Sequence, residues 1–377
     1  LFLAGRRADY GASCRPLSAP LAGLSRARCA TIAAMTDLSE RFARYVAHQW
    51  PEASDIRVEG LSRIHGGASR ETYRLQLKLR RDGVEEERPL ILRRDPSGSL
   101  IETERSTEYN AYRAFHGTSV PVPEPLWLEE DEQWLDRPFF VMEQITGCES
   151  SPQTLLTTPP YQEHIERIGE QKWRILGELN RADPAELGLA DLMPAVKPEE
   201  CWRLELEKWE QMIDEDELTP QPIGRAAIRW LRRHPPPPPP RISVVHADFR
   251  TGNFLADGEG NIRAILDWEM AHLGDAIEDL AWSISRIWCW ARDDLPGGLL
   301  PRERAIALWE EASGLRADPE ALHWWETLSN LKALAIWISG GNEYATGSNH
   351  DTILGFTGWW LTNSQDRAIL EVMGHLT

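Results

Sequence analysis

A chain of 377 residues with 42% hydrophobic and 27% charged content can bury a sizeable core, which excludes intrinsic disorder and suggests two lobes closing on a cleft. Its formal charge of -18 argues against a nucleic-acid partner, which needs a basic face to neutralise phosphates. No run approaches the roughly 18 apolar residues of a membrane span, so a soluble protein with no membrane partner is expected.

Residues 1–34 carry five Arg, several Ser, no Lys or Glu and a single acid, Asp9. This is either sequence upstream of a start at Met35, implying a cytoplasmic protein, or a mitochondrial-type targeting segment. On both readings the fold is expected to begin at Met35. The five cysteines are scattered without zinc, redox-couple or disulfide spacing, which suits reduced thiols in a cytosol-like compartment.

From Met35, Leu38, Phe42, Tyr45 and Val46 recur at helical spacing until Pro51, predicting a first helix of about four turns. TYRLQLKL and PLILRR read as a hairpin around Asp82 and Gly83, preceded by a turn at Gly66 and Gly67. A charged helical stretch over 101–115, the segment VPVPEPLWL, the turn-prone DEQW and the apolar strand PFFVMEQI complete a small sheet with one helix over 50–146. Beyond Gly147 the pattern turns to amphipathic helices, clearest over 161–180 and 201–213 and resuming from Ile277 to the end. Among them lies a short β island, RISVVH and then NFLADGEGNIRAILDW, whose apolar runs flank the turn DGEGN. The run Pro235–Pro240 is extended polyproline, read as a spacer.

The segment HADFRTGNFL places an Asp, a cation and an Asn on one short loop after a buried-looking strand. Phosphoryl transfer needs a carboxylate to orient a hydroxyl and take its proton, positive charge for the moving phosphoryl, and hard oxygen ligands for magnesium. Asp248, Arg250 and Asn253 supply these in order. Asp267, ending the strand AILDWE beyond the hairpin, could reach the same metal. Taken singly, His246 would be a core histidine, Asp248 a helix cap and Asp267 a turn residue. Their joint order and spacing favour a site.

These residues resemble the catalytic loop of the aminoglycoside phosphotransferase and choline kinase group, distant relatives of protein kinases, and the likeness covers most of residues 60–290. The resemblance implies an α+β, two-lobe protein-kinase-like fold, with a small N-terminal sheet and one helix over 35–146 and a larger helical lobe over 147–377. It implies an ATP- and Mg2+-dependent kinase acting on a small-molecule hydroxyl, with Asp248 as base, Arg250 where protein kinases place a loop lysine, Asn253 and Asp267 as magnesium ligands, and His246 as a structural residue. It likens GGASRETYRL to the phosphate-covering turn, with Gly66, Gly67 and Ser69 as nucleotide contacts. Arg93 and Glu108 match the strand cation and helix glutamate that position the ATP phosphates, and backbone groups of Glu143 to Ile145 match the adenine-binding hinge, with Met142 behind it.

Three positions depart from that pattern: Ala247 replaces the usual glycine, Arg93 the commoner lysine, and Asn180 a histidine. Asp275 and Asp279 read as helix-end and loop-fixing residues, with a cationic-substrate role open for Asp275. A helix starting within about ten residues of Asp267 leaves no room for a protein-kinase activation segment. Nine of the seventeen Trp lie from Trp282 onward, most expected in the core. If some line the acceptor site, a hydroxy acid or hydroxyacyl acceptor fits better than a sugar polycation, and HADFRTGN also resembles kinases associated with acyl-CoA dehydrogenases. The alternatives are an antibiotic-type kinase and a non-catalytic nucleotide-binding module.

Overall fold

The computed structural model describes residues 22–64, 71–95, 105–289, 295 and 299–376, with side chains from residue 36. The first helix, α1 (Ala22–Gln49), reaches back well before Met35, so the expected four-turn helix is only its second half. Leu38, Phe42, Tyr45 and Val46 are buried along one stripe of that half, as their spacing predicts.

This stripe packs on a five-stranded antiparallel sheet built from β1 (Ser54–Ile64), β2 (Glu71–Arg81), β3 (Val84–Arg94), β4 (Pro125–Glu129) and β5 (Phe139–Glu143), in the order β1-β2-β3-β5-β4. The β2–β3 turn is the two-residue Asp82-Gly83, both at positive φ (52° and 79°), the left-handed geometry that closes a tight hairpin. The strands therefore run through Arg80, Arg81 and the EEER segment expected to be turn. β1 was not read from the sequence. It is an edge strand with two register shifts and no buried alternation, so its residues carry no period-2 signal.

Alternation along the sheet decides which residues face the cleft. Leu90, Leu92, Phe139 and Val141 face α1, whereas Ile91, Phe140 and Met142 pack with Tyr112 and Phe115 of α2 (Arg105–Phe115). Arg93, two residues after Ile91, shares the α2 face.

The helical lobe comprises α3 (Pro152–Thr157), α4 (Ile165–Arg181), α5 (Cys201–Asp216), α6 (Pro222–Arg233), α7 (Ala276–Ile284), α8 (Arg302–Ser313), α9 (Pro319–Thr346) and α10 (Thr352–Val372). The β island supplies β7 (Ser243–Val245), the hairpin β8 (Phe254–Asp257) and β9 (Ile262–Ile265), and β10 (His272–Gly274), which pairs with β7. A two-residue strand, β6 (Cys148–Glu149), leaves the first lobe and pairs with β8. The main hydrophobic core runs from α2 and β5 through this island into α4 to α9, joining the lobes.

α9 and α10 form an antiparallel pair in which Gly341 and Gly358 let the backbones touch; a Cβ at 358 would lie 2.5 Å from the Gly341 Cα. Trp309, Trp324 and Trp325 are core residues as expected, but Trp359 and Trp360 on α10 are 73% and 55% exposed. Among the described residues no helix is long and apolar enough to cross a membrane.

Candidate active site

β7 ends at Val245 and the chain turns sharply through 246–253 before entering β8. Ala247 makes that turn at φ +66°, a left-handed conformation that explains why glycine suits the position and that costs an alanine about 1 kcal/mol. Asp279, buried on the first turn of α7, accepts the backbone N–H groups of His246 and Ala247, both at 2.8 Å. Burial raises the Asp279 carboxyl above the usual range, against the pull of His246, these N–H groups and Asn180. Asn180 donates to Asp279 and to the Val244 carbonyl at 3.1 Å and accepts from Trp309 Nε1 at 2.8 Å, so the residue standing for a histidine is a fully engaged strut between α4, β7, α7 and α8.

His246 is buried, and burial holds it below its ordinary value despite Asp279 and Asp248 nearby, so the ring is neutral. Its Nε2 faces the Leu266 carbonyl at 3.0 Å and its Nδ1 faces the Asp248 N–H at 3.2 Å, which assigns the proton to Nε2. One ring thereby joins the 246–253 loop to the residue before Asp267.

The Asp248 carboxylate is 16% exposed and held from three sides. Asn253 Nδ2 donates to Oδ2 at 2.6 Å, Trp282 Nε1 to Oδ1 at 2.9 Å, and Arg250 Nε lies 3.2 Å from Oδ1. The Asn253 amide nitrogen is thus committed to Asp248, and its carbonyl oxygen is the atom left to meet a cation. Arg250 lies over the Trp288 ring at 4.9 Å. Gly252 makes room for it: φ is +116°, and a Cβ there would come 2.7 Å from Arg250 Nη1.

Asp267 follows β9 at φ +67°, its N–H donating to the Tyr112 hydroxyl of α2 at 3.0 Å while Leu266 N–H donates to the backbone carbonyl of Asn253 at 2.8 Å. Both expected magnesium ligands therefore sit at the base of one hairpin. Arg93 reaches the same place. It pairs with Glu108, which is 0% exposed, and lies 3.4 Å from Asp267 Oδ1 and 3.7 Å from Glu269 Oε2. Burial disfavours the guanidinium charge, but Glu108 and Asp267 more than offset it and hold Arg93 protonated.

The structure thus brings Asp248, Arg250, Asn253, Asp267, Arg93 and Glu108 together where the two lobes meet. Glu143 and Ile145 lie at the other end of the β3–β5 pair, where the N–H of Glu143 is bonded to Glu124 and that of Gln144 to Pro89. Met142 is buried in β5. Gly66, Gly67 and Ser69 lie outside the described residues. Asp275 caps α7 through Ile277 N–H and accepts from Trp325 Nε1. Burial pushes its pKa up to about 6, so it has the structural role and no open face for a cationic substrate.

Sequence reasoning missed Glu269, Trp282 and Lys332. Lys332, 2% exposed on α9, donates to the Ala247 carbonyl and lies 3.7 Å from Glu278 Oε1. Next to it, Glu205, His272 and Glu278 hold their ligand-type atoms within 4.8 Å of one another. Lys208, 3.4 Å from Glu205, and Lys332 supply cations there, so the trio reads as an ionic network. A separate cleft of about 460 Å³, lined by Leu218, Tyr344, Trp359 and Asp366 among others, opens between the α5–α6 turn and the α9–α10 pair, away from these residues.

Residues 60–325 match the profile of the phosphotransferase enzyme family. Among curated proteins, acyl-CoA dehydrogenase family member 10 of Mus musculus is 29% identical over 220 residues, covering 58% of this chain and 19% of that protein. The chain spans between 19% and 34% of the length of the curated relatives it matches. Among solved structures, a Ralstonia eutropha protein proposed to be an aminoglycoside phosphotransferase superposes with a TM-score of 0.69 at 22% identity, covering 90% of this chain and 99% of that one. An aminoglycoside phosphotransferase bound to AMP-PNP and hygromycin B gives 0.55 at 15% identity, covering 88% and 98%. These likenesses establish the two-lobe kinase-like fold.

Proposed function

The chain belongs to the phosphotransferase enzyme family, whose members are small-molecule kinases, and on that premise we propose that it transfers the γ-phosphoryl of ATP to a hydroxyl of a hydroxy acid or hydroxyacyl compound. The observation that carries transfer is the convergence of Asp248, Asn253, Asp267 and the Arg93–Glu108 pair on one cleft, drawn from both lobes.

Asp248 orients the acceptor hydroxyl and takes its proton as the oxygen–phosphorus bond forms and the bond to the ADP oxygen breaks. Arg93, fixed by Glu108, and Arg250 offer positive charge to the phosphates. The Asn253 carbonyl oxygen and the Asp267 carboxylate are hard oxygen donors of the kind magnesium takes, and a bound ion would neutralise charge on the β- and γ-phosphates. With the Glu143 and Gln144 N–H groups engaged in the sheet, the adenine donor proposed for the hinge is the N–H of Ile145.

The acceptor class is supported by the charge beside Asp248: Arg250 is the neighbouring cation, while Trp282 and Trp288, ring centroids 5.0 Å apart, are buried behind it. A cation beside the base suits an acyl chain bearing a carboxylate better than a sugar polycation. The likeness to proteins named acyl-CoA dehydrogenase family members agrees with an acyl acceptor. A cytosol-like compartment, mitochondrial if residues 1–34 act as a targeting segment, agrees with the free thiols of Cys148, Cys201 and Cys289.

The test is magnesium-dependent ADP release over a panel of 4-hydroxy acids, their CoA thioesters, aminoglycosides and choline, with Asp248→Asn as control. Stimulation by the hydroxyacyl compounds, lost in the control, is expected. Stimulation by aminoglycosides alone would overturn the acceptor class, and tight ATP binding without stimulated turnover would overturn catalysis.

A further inference from the structure

The position of Asp248 depends on two helices of the larger lobe, α7 and α9. Trp282 of α7 donates its indole N–H to Oδ1 at 2.9 Å. Lys332 of α9 donates to the carbonyl of Ala247, the residue just before Asp248, which is held at φ +66°. A left-handed alanine persists only where its surroundings over-determine it, and these bonds, with the two N–H groups that Asp279 accepts, are what surround it.

The two side chains also form one unit. Lys332 Nζ lies over the Trp282 ring at 4.6 Å from its centroid and over the Trp209 ring of α5 at 5.2 Å. Behind it, Glu278 Oε1 at 3.7 Å balances the ammonium, His272 Nε2 lies 3.2 Å from Glu278 Oε2 and 3.7 Å from Glu205 Oε1, and Lys208 Nζ lies 3.4 Å from Glu205. The buried lysine is therefore seated by groups from α5, β10 and α7 and points at the catalytic loop.

We propose that Lys332 and Trp282 are positioning residues for Asp248, Lys332 fixing the backbone turn that presents the carboxylate and Trp282 fixing the carboxylate's rotation. This rests on the reading of Asp248 as the base. Three contacts to its oxygens, from Asn253, Arg250 and Trp282, come from two directions: the first two belong to the loop itself, and Trp282 alone ties the carboxylate to a rigid helix. Losing either α7 or α9 anchor leaves the loop intact in sequence but free to turn the base away from the acceptor, a misplacement that lowers the chemical step without touching nucleotide contacts on β3 and α2.

The experiment uses the full chain in three variants. Trp282→Phe keeps the ring and most of its volume while deleting the N–H; Lys332→Met with Glu278→Gln removes the anchor without stranding a buried carboxylate; Lys332→Arg keeps the charge and the donor. Backbone hydrogen–deuterium exchange over 246–253 is read beside ADP release, with kcat and the KM for ATP separated, and beside the thermal midpoint. The first two variants are expected to exchange at least tenfold faster over 246–253 with α4 and α10 unchanged, and to lose at least tenfold in kcat with the KM for ATP within twofold. Lys332→Arg is expected to recover part of both. Unchanged loop exchange and unchanged kcat would overturn the proposal, as would faster exchange spread evenly over the helical lobe, the mark of general packing loss. Should the wild type release no ADP with any acceptor, the kinase reading falls, and the exchange measurement still decides whether these residues hold the loop.

Discussion

Replacing Arg93 by methionine removes one charge from a group of four. Its guanidinium pairs with Glu108, fully buried, and lies within 3.4 Å of Asp267 and 3.7 Å of Glu269, which are 34% and 14% exposed in their side chains. Stranding a buried carboxylate by deleting its partner costs about 3–5 kcal/mol, whereas the more solvated Asp267 adds on the order of 1 kcal/mol at most. The expected loss is therefore about 4 kcal/mol, read from urea unfolding as a lower midpoint at unchanged slope. Replacing Glu108 by leucine in the same chain removes the stranded charge, and most of that loss should return. Activity should not return with it: with the cation proposed to meet the phosphates gone, kcat/KM for ATP should stay at least about 100-fold down, or roughly 2.7 kcal/mol of transition-state stabilisation. A single variant within about 1 kcal/mol of wild type would refute the burial reasoning, and a double variant that regains turnover would refute the assignment of Arg93 to the nucleotide.

The half-buried histidine behind the loop gives a pH signature. Burial works against the His272 charge, but Glu278 and Glu205 outweigh it and raise its pKa to about 9, so its contribution is fully present below the unfolded value near 6.5 and is lost as pH rises through about 9. Stability should fall by roughly 3 kcal/mol across that window, and His272→Gln should flatten the fall, as thermal melts from pH 6 to 10 would show. Ala247→Gly should leave stability within about 1 kcal/mol, because relieved strain offsets added chain entropy, whereas Ala247→Val forces a β-branched residue into φ +66° and should cost about 1–3 kcal/mol together with most turnover. Gly358→Ala should separate α9 from α10, since the new Cβ would meet the Gly341 backbone at 2.5 Å; a cost of about 3 kcal/mol in chemical unfolding is expected, and a neutral result would show that the helices readily slide apart.

What could be read from the residues was whatever is local in the chain. The loop 246–253 and Asp267 bracket a single hairpin, so their order along the sequence already places them together, and the DG turn of the first hairpin announces itself. β1 could not be read because an edge strand with two bulges has no buried face to impose alternation. Trp282 and Lys332 contact the loop across 34 and 85 residues, and within their own helices a Trp and a Lys carry no mark of such a contact. Arg93 and Glu108 were legible through family resemblance, yet Glu269 beside them was not, although it stands two residues from Asp267. Most of the C-terminal Trp are core as expected, and the exposed Trp359 and Trp360 could not be singled out because helical spacing says which residues share a face but not whether another element covers it.

The short pairing of β6 with β8 sets the scale of the whole cleft. Glu143 and Gln144 are tied into the first lobe's sheet, and Cys148 is paired to Asp257 on the hairpin that carries Asn253 and Asp267, so residues 145–147, with Gly147 at φ +72°, span the gap between the two pairings. Those three residues set how far the first lobe's sheet can lie from that hairpin. On the proposed function, lengthening the chain there would alter the span between base and phosphates, whereas the proline run before β7 could grow or shrink without that effect.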